Sequence, residues 1–478
     1  MTTMQIGPKL VEDVPTISSP GPRIALVTPY NGGNLGDAAI QDSMISNLRR
    51  QIPGAQFLGI TLNCDNFLRQ HGAAAFPLLA SIMPPASKSA AASSNQMGNT
   101  GGSFVGSSNT GTHKRSSLIR SVIRSVPGLA PLLRKVRTWI APVRREILHC
   151  FEGYRVLRTQ DILILSGGGQ LDEEYGGAWR LPFAFCKWTL LARLARVPCA
   201  MASVGAGSIR LSASRRFISI ALRVCQYRSF REERSRAIVA KFFHPATNDP
   251  VVPDLAFSLP DSELPPAAGT IRRLAHGRTV VILSPISYAK PGSWPTPDRA
   301  FYDRYVRQIA HVISHLSRRG YFVVIACSSL GDDETVIPDL LECVDEDLRG
   351  NLEGRVYLPT IRNWRDFVTT LRDSDYLIAS RLHGTILGFV TRTPVVAISF
   401  DPKVDWVMED LNQTESLLHF RDFNAEDVLR ALESITSHKE TVVSQISGYR
   451  QKVISSSDST RQYAFLAALA LNHHQSKI

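Results

Sequence analysis

At 478 residues the chain exceeds what one hydrophobic core usually holds, so two domains, or three, are expected. A hydrophobic share of 44% suits a globular protein, and no apolar run approaches the roughly 18–20 residues that a membrane-spanning helix needs. The net charge of +12 has one main source: residues 66–145 carry eleven Lys and Arg and no Asp or Glu. Nucleic-acid binding asks for such charge interleaved with many stacking aromatics, and few are present here (Phe76, Phe104 and Trp139 among them), so no nucleic-acid partner is expected.

Residues 1–21 contain Pro and Ser and no apolar h-region, which reads as a disordered tail and not a signal peptide. Residues 24–29 form a strand pattern. The loop Asn31-Gly32-Gly33-Asn34-Leu35-Gly36-Asp37 follows, then a helix from about Asp37 to Gln51 that Asp37 would cap. Residues 86–112 are rich in Ser, Ala, Gly and Asn, as in a flexible insertion. Beyond them, residues 118–126 and 132–140 place apolar side chains at helical spacing against Arg and Lys. The basic segment 114–145 would either lie on an anionic membrane surface or pack on its domain.

Two buried-type strands come next. Residues 161–165 end in Gly167-Gly168-Gly169, with Gln170 and Asp172 as polar handles, and residues 199–204 end in Gly205-Ala206-Gly207. The stretch Ser229-Phe230-Arg231-Glu232-Glu233-Arg234-Ser235 puts Arg231 and Arg234 on one face of a helical turn. There they bind an anion or pair with Glu232 and Glu233. A Pro-rich stretch over 259–268 reads as a linker. A second alternating set follows, with strands at 280–284, 322–326, 356–358 and 376–379 and a helix over 299–319.

This order predicts an α/β protein of two Rossmann-like domains facing across a cleft. The first spans 22–262, with the flexible and basic insertion at 86–150. The second spans 263–440, and C-terminal helices fill 441–478, with their return to the first domain left open. The strand before Arg381-Leu382-His383-Gly384 delivers a guanidinium, an imidazole and a helix start together, three anion-friendly elements. Seven scattered cysteines without a C-x-x-C pair read as reduced thiols of a cytoplasmic protein. No His, Asp or Glu cluster has metal-ligand spacing, so no metal is expected.

Seven motifs occur in order: G-x-N-x-G-D-x-A-I from Gly32, S-G-G-G-x-L-D from Ser166, G-x-G from Gly205, S-x-R-x-x-x-S from Ser229, P-D-L-A-F from Pro253, S-R-L-H-G from Ser380 and S-F-D-P-K-V from Ser399. Together they resemble the polysaccharide pyruvyl transferase family, with Glu232 where the family carries Asp. The resemblance implies a fold like the GT-B glycosyltransferases and phosphoenolpyruvate as donor, a substrate and not a cofactor. It also implies a glycan or lipid-linked oligosaccharide acceptor that receives a pyruvate ketal.

The donor brings about three negative charges, and its methylene carbon must be protonated near neutral pH. Those demands assign His383 as the general acid and Arg381 as a clamp on the donor. Arg231, Gly384 and Lys403 join the donor side; Asn34, Gly36, Gly168, Gly169 and Asp172 line the acceptor side. Asp37 belongs there too, or serves as the base for the attacking hydroxyl. Two other functions stay open: a sugar-nucleotide glycosyltransferase on the same fold, and a non-enzymatic assembly factor at the membrane surface. The expected location is the cytoplasm, either free or peripheral on the inner membrane face.

Overall fold

A computed structural model describes residues 21–82, 129–174, 176–294, 296–350 and 352–477, with side chains described outside 82 and 129–140. The expected tail and the stretches 86–112 and 118–126 fall outside the described residues. The stretch 132–140 is helical backbone within the helix Leu129–Leu157.

Two six-stranded sheets organise the chain. The first contains β1 (Arg23–Val27), β2 (Gln56–Thr61), β3 (Ala74–Pro77), β4 (Ile162–Ser166), β5 (Cys199–Val204) and β6 (Tyr227–Phe230) in the order β3-β2-β1-β4-β5-β6. The second contains β7 (Val280–Ser284), β8 (Phe322–Ile325), β9 (Val356–Tyr357), β10 (Tyr376–Ala379), β11 (Val395–Ser399) and β12 (Leu417–His419) in the order β12-β11-β10-β7-β8-β9. Every pairing is parallel, for example Leu26↔Ile164 in the first sheet and Leu377↔Ile282 in the second. Counted from their own first strands, both sheets follow the doubly wound order 3-2-1-4-5-6. Each therefore reverses direction once, between β1 and β4 and between β7 and β10. Such a reversal splays the loops beyond the strand ends and opens a crevice there.

The central strands are buried on both faces, which is why they read as continuous apolar runs and not as alternating ones. In the first sheet Ala25, Val27, Leu163 and Leu165 face a layer of three helices, Leu129–Leu157, Leu181–Leu194 and Ser212–Val224. Ile24, Leu26, Ile162 and Ile164 face the other way, into a core shared with the helix Leu35–Gln51 and the second domain. No helix among the described residues is long and apolar enough to cross a membrane.

The helix Leu35–Gln51 begins earlier than the sequence pattern suggested. Its cap is Asn34, whose Oδ1 accepts from the backbone N–H of Gly36 at 3.1 Å and of Asp37 at 3.5 Å. Asp37 is therefore in the first turn and not the cap, which releases its carboxylate for other work. On the same helix Asp42 accepts from Trp364 Nε1 at 2.7 Å and pairs with Arg365 and with His71, tying the domains together. The Pro-rich stretch 259–268 is held as well: buried Arg450 pairs with Asp261 and donates to the Leu259 carbonyl. The last helix, Ser457–Gln475, lies on the first sheet. There Gln462 Oε1 accepts from Ser229, and His474 Nδ1 sits 2.9 Å from Asp161.

Candidate active site

Loops beyond the carboxyl ends of the two sheets meet. The turn after β1 is stitched to the turn after β8 by Leu35 N–H to the Ser328 carbonyl (3.1 Å) and Leu330 N–H to the Gly33 carbonyl (2.9 Å). Between the domains a cleft of about 1170 Å³ opens at the carboxyl ends of both sheets. Asn34, Asp37, Gly169, Asp172, Arg231, Arg381, His383 and Lys403 line it, from five separate segments. Three other expected site residues sit behind the wall. Gly36 lies under His383, Gly168 faces the Asp37 carboxylate, and Gly384 packs toward the hydroxyls of Ser328 and Ser284.

His383 occupies the first turn of the helix Leu382–Val390, whose cap position, Arg381, makes no side-chain capping bond. His383 is 8% exposed, and its Nδ1 lies 3.0 Å from Asn34 Oδ1. That oxygen already accepts two backbone N–H groups, so it is an acceptor toward His383 as well. The contact therefore places the ring proton on Nδ1 and the lone pair on Nε2. Nε2 is buried, makes no hydrogen bond and stands 3.9 Å from Asp37 Oδ1.

Burial pushes the His383 pKa down to about 4; the Asp37 carboxylate opposes the shift, while Arg231, Arg381 and Lys403 add to it. Burial moves Asp37 the other way, up from the usual carboxylate range. At neutral pH the resting imidazole is thus uncharged, whereas an unperturbed histidine near pH 6.5 would already be partly protonated. An acid role for His383 then requires that something raise its pKa first.

Arg381 and Arg231 are each held by a buried carboxylate, Asp333 and Asp254 respectively. Arg381 donates through Nε and Nη2 to Asp333, the second contact at 2.8 Å, and Asp333 also accepts from the backbone and hydroxyl of Ser287. Arg231 donates to Glu232 at 2.6 Å and to Asp254 at 3.4 Å. The expectation that Arg231 and Arg234 share one helical face is corrected here. Arg231 follows β6 and precedes the helix Glu233–Ala240, so it turns inward, while Arg234 pairs with Glu409 of the second domain over the Trp406 ring.

The glycines of Gly205-Ala206-Gly207 also gain a reason. A Cβ at 205 would lie 2.7 Å from Arg231 Nη2, and one at 207 would lie 1.9 Å from Asp172 Oδ2. Ser235 Oγ accepts from the Ala206 N–H at 2.7 Å, and Ser229 Oγ accepts from the Ser203 N–H, so both serines of the S-x-R-x-x-x-S motif brace the loop that seats Arg231. Gln170 is fully buried and donates to the carbonyls of Ser166 and Gly167, so it pins the glycine loop and does not reach the cleft. Lys403 Nζ crosses the cleft to Asp172 Oδ2 at 3.5 Å, from a helix start capped by Asp401.

Sequence reasoning missed Asp333 and the aromatic wall of Tyr288, Trp294 and Phe400, in which Tyr288 stands 4.9 Å from Trp294 and 5.1 Å from Phe400. The signals for the wall were two aromatics in the Pro- and Gly-containing loop after β7 and Phe400 within the S-F-D-P-K-V motif, and nothing local showed that the three converge. Asp333→Ala would leave Arg381 without its buried counter-charge. It is expected to lower unfolding free energy by about 3 kcal/mol, read as a drop in the urea midpoint with an unchanged slope. An unaltered midpoint would contradict the pairing.

The polysaccharide pyruvyl transferase family model matches residues 34–402. Among solved structures, a putative UDP-N-acetylglucosamine 2-epimerase from Listeria monocytogenes is similar, with a TM-score of 0.53 at 9% identity over 95% of this chain and 97% of that one. A protein from Anabaena solved with UDP and glucose is similar too, with a TM-score of 0.51 at 12% identity over 94% and 99%. At such identities the likeness is one of fold, that of two facing Rossmann-like domains of the GT-B kind. None of the curated proteins matches.

Proposed function

Because the chain belongs to the polysaccharide pyruvyl transferase family, we propose that it moves the enolpyruvyl group of phosphoenolpyruvate onto two hydroxyls of a sugar, forming a pyruvate ketal and releasing phosphate. The observation that carries this reading is the convergence of Arg231, Arg381, Lys403 and an uncharged His383 on one cleft. A donor with a carboxylate and a phosphate needs cations and an open helix start, and the wall around Arg381 supplies both.

The same charges explain how His383 becomes an acid. Three of the groups that hold its pKa down are Arg231, Arg381 and Lys403. A donor with about three negative charges bound among them offsets their repulsion, so the imidazole takes up a proton as the donor binds. Nε2 then delivers that proton to the methylene carbon of the enol, and a sugar hydroxyl attacks the oxocarbenium-like carbon. The hydroxyl proton returns to the His383–Asp37 pair. A second hydroxyl closes the ring as phosphate departs with the remaining proton. The chemistry asks for no cofactor, and a donor drawn from central metabolism suits a cytoplasmic enzyme.

Asp172, Gly169 and the aromatic wall would receive the acceptor, a surface or extracellular polysaccharide or its lipid-linked precursor. The test is phosphate release from phosphoenolpyruvate by the purified protein with glycan extracted from its host. Release that depends on the glycan, with a ketal mass gain on it, is the expected result. Turnover of a sugar nucleotide in place of phosphoenolpyruvate would replace this reading with that of a glycosyltransferase.

A further inference from the structure

We propose that the three-helix layer on the outer face of the first sheet is a docking face for an anionic lipid bilayer. The described residues contain 13 large apolar side chains that are exposed, and eight of them lie on these three helices or on the residues leading into them. In the helix Leu129–Leu157, Val143, Ile147 and Phe151 follow one another at four-residue spacing and are 59%, 63% and 59% exposed. The helix Leu181–Leu194 adds Leu190 and Leu194, on the same stripe as Phe183. Trp179, 72% exposed, sits against Phe183 and Phe217 with ring centroids 5.5 and 5.1 Å away. An apolar surface of this extent on one layer is not the scatter of single residues that ordinary surfaces show.

Charge identifies the occupant. The sequences of the three helices hold eleven Lys and Arg against only Glu146 and Glu152. Glu146 is already paired with Lys187 at 2.6 Å. A second copy of the chain would bring the same cations onto the face and be repelled. Residues 83–128 would do no better as a cover, because they contain no Asp or Glu and include Lys88, Lys114, Arg115, Arg120 and Arg124. A bilayer with anionic headgroups offers both what the apolar stripe and what the cations need.

The face runs into the cleft. Arg180, Leu181, Arg210 and Arg215 belong to the same layer and its leading loops, and they also line the cleft wall. An acceptor sugar carried on a membrane lipid would enter from this side without leaving the bilayer. That last link rests on the pyruvyl-transfer reading; the docking does not.

Flotation of the full chain with vesicles tests the docking, comparing pure phosphatidylcholine with phosphatidylcholine containing phosphatidylglycerol. Binding is expected to the anionic vesicles alone and to weaken with salt. The variant Ile147→Glu/Leu194→Glu should bind about tenfold or more weakly, whereas Leu274→Glu/Leu358→Glu, at exposed sites of the second domain, should bind as the parent does. Failure to bind, or equal binding by both variants, would overturn the proposal. So would a dimer that the first variant dissociates, since the face would then be a self-interface. Neither donor nor transfer enters this experiment, so it can succeed or fail independently of the assigned reaction.

Discussion

Replacing His383 with glutamine is expected to lower turnover about a thousand-fold while leaving donor affinity nearly intact. Glutamine can still donate to Asn34 Oδ1, the contact that fixes the imidazole at 3.0 Å, so the wall keeps its shape and loses only the titratable nitrogen. The parent's pH profile should carry the mark of that nitrogen. If the donor's charge lifts the pKa above its resting value of about 4, turnover at saturating donor falls as pH rises through the new, higher pKa. The variant's residual rate should lack this limb.

Stability gives a second readout. The folded pKa of His383 lies below the unfolded value of about 6.5, so the unfolded chain binds more protons between pH 6.5 and 4. The folded protein therefore loses up to about 3 kcal/mol across that window as pH falls. Asp37, raised by burial, acts with the opposite sign. The difference between parent and variant at each pH isolates the histidine: the parent should lose more stability on acidification. A variant with full turnover and the parent's pH profile would remove His383 from the chemistry.

How far the sequence reveals this site depends on the range of each interaction. The segment from Ser380 to Gly384 was readable because strand, guanidinium, imidazole and helix start are contiguous. The two-domain α/β layering was readable for the same reason: buried parallel strands such as β4 and β7 are apolar runs broken only by their last residue. β2 and β3 gave little signal, since a Gly interrupts one and the other is Ala-Ala-Phe-Pro. Long-range partners gave none. Asp333 lies 48 positions from Arg381, in a segment with several other acids, and nothing local marks it as the one that is fully buried. Protonation states lay further still from view. The drop in the His383 pKa arises from burial between domains and from three cations, of which only Arg381 is a sequence neighbour, so no window of sequence contains all its causes.

Gly36→Ala is expected to damage the protein more than any other added methyl group in the cleft. Glycine is not required there by backbone conformation, because Gly36 lies in an ordinary helical turn without a positive φ. The reason is proximity: a Cβ at 36 would stand 2.0 Å from both Cβ and Cγ of His383. Rotating the imidazole cannot relieve contact with its own Cβ, so the helix starts at 35 and 382 must separate. The bonds from Leu35 N–H to Ser328 and from Leu330 N–H to Gly33 resist that separation. Overpacking of this kind removes about 1–3 kcal/mol of stability, and a displacement near 1 Å between His383 and Asp37 lowers turnover about a hundred-fold. The origin of the effect can be checked by rescue of stability in urea. Gly36→Ala/His383→Ala keeps the offending Cβ and should remain as unstable as Gly36→Ala, whereas Gly36→Ala/His383→Gly should recover most of the loss. Equal recovery by both double variants would place the clash on the ring alone and show that the two helix starts need not part.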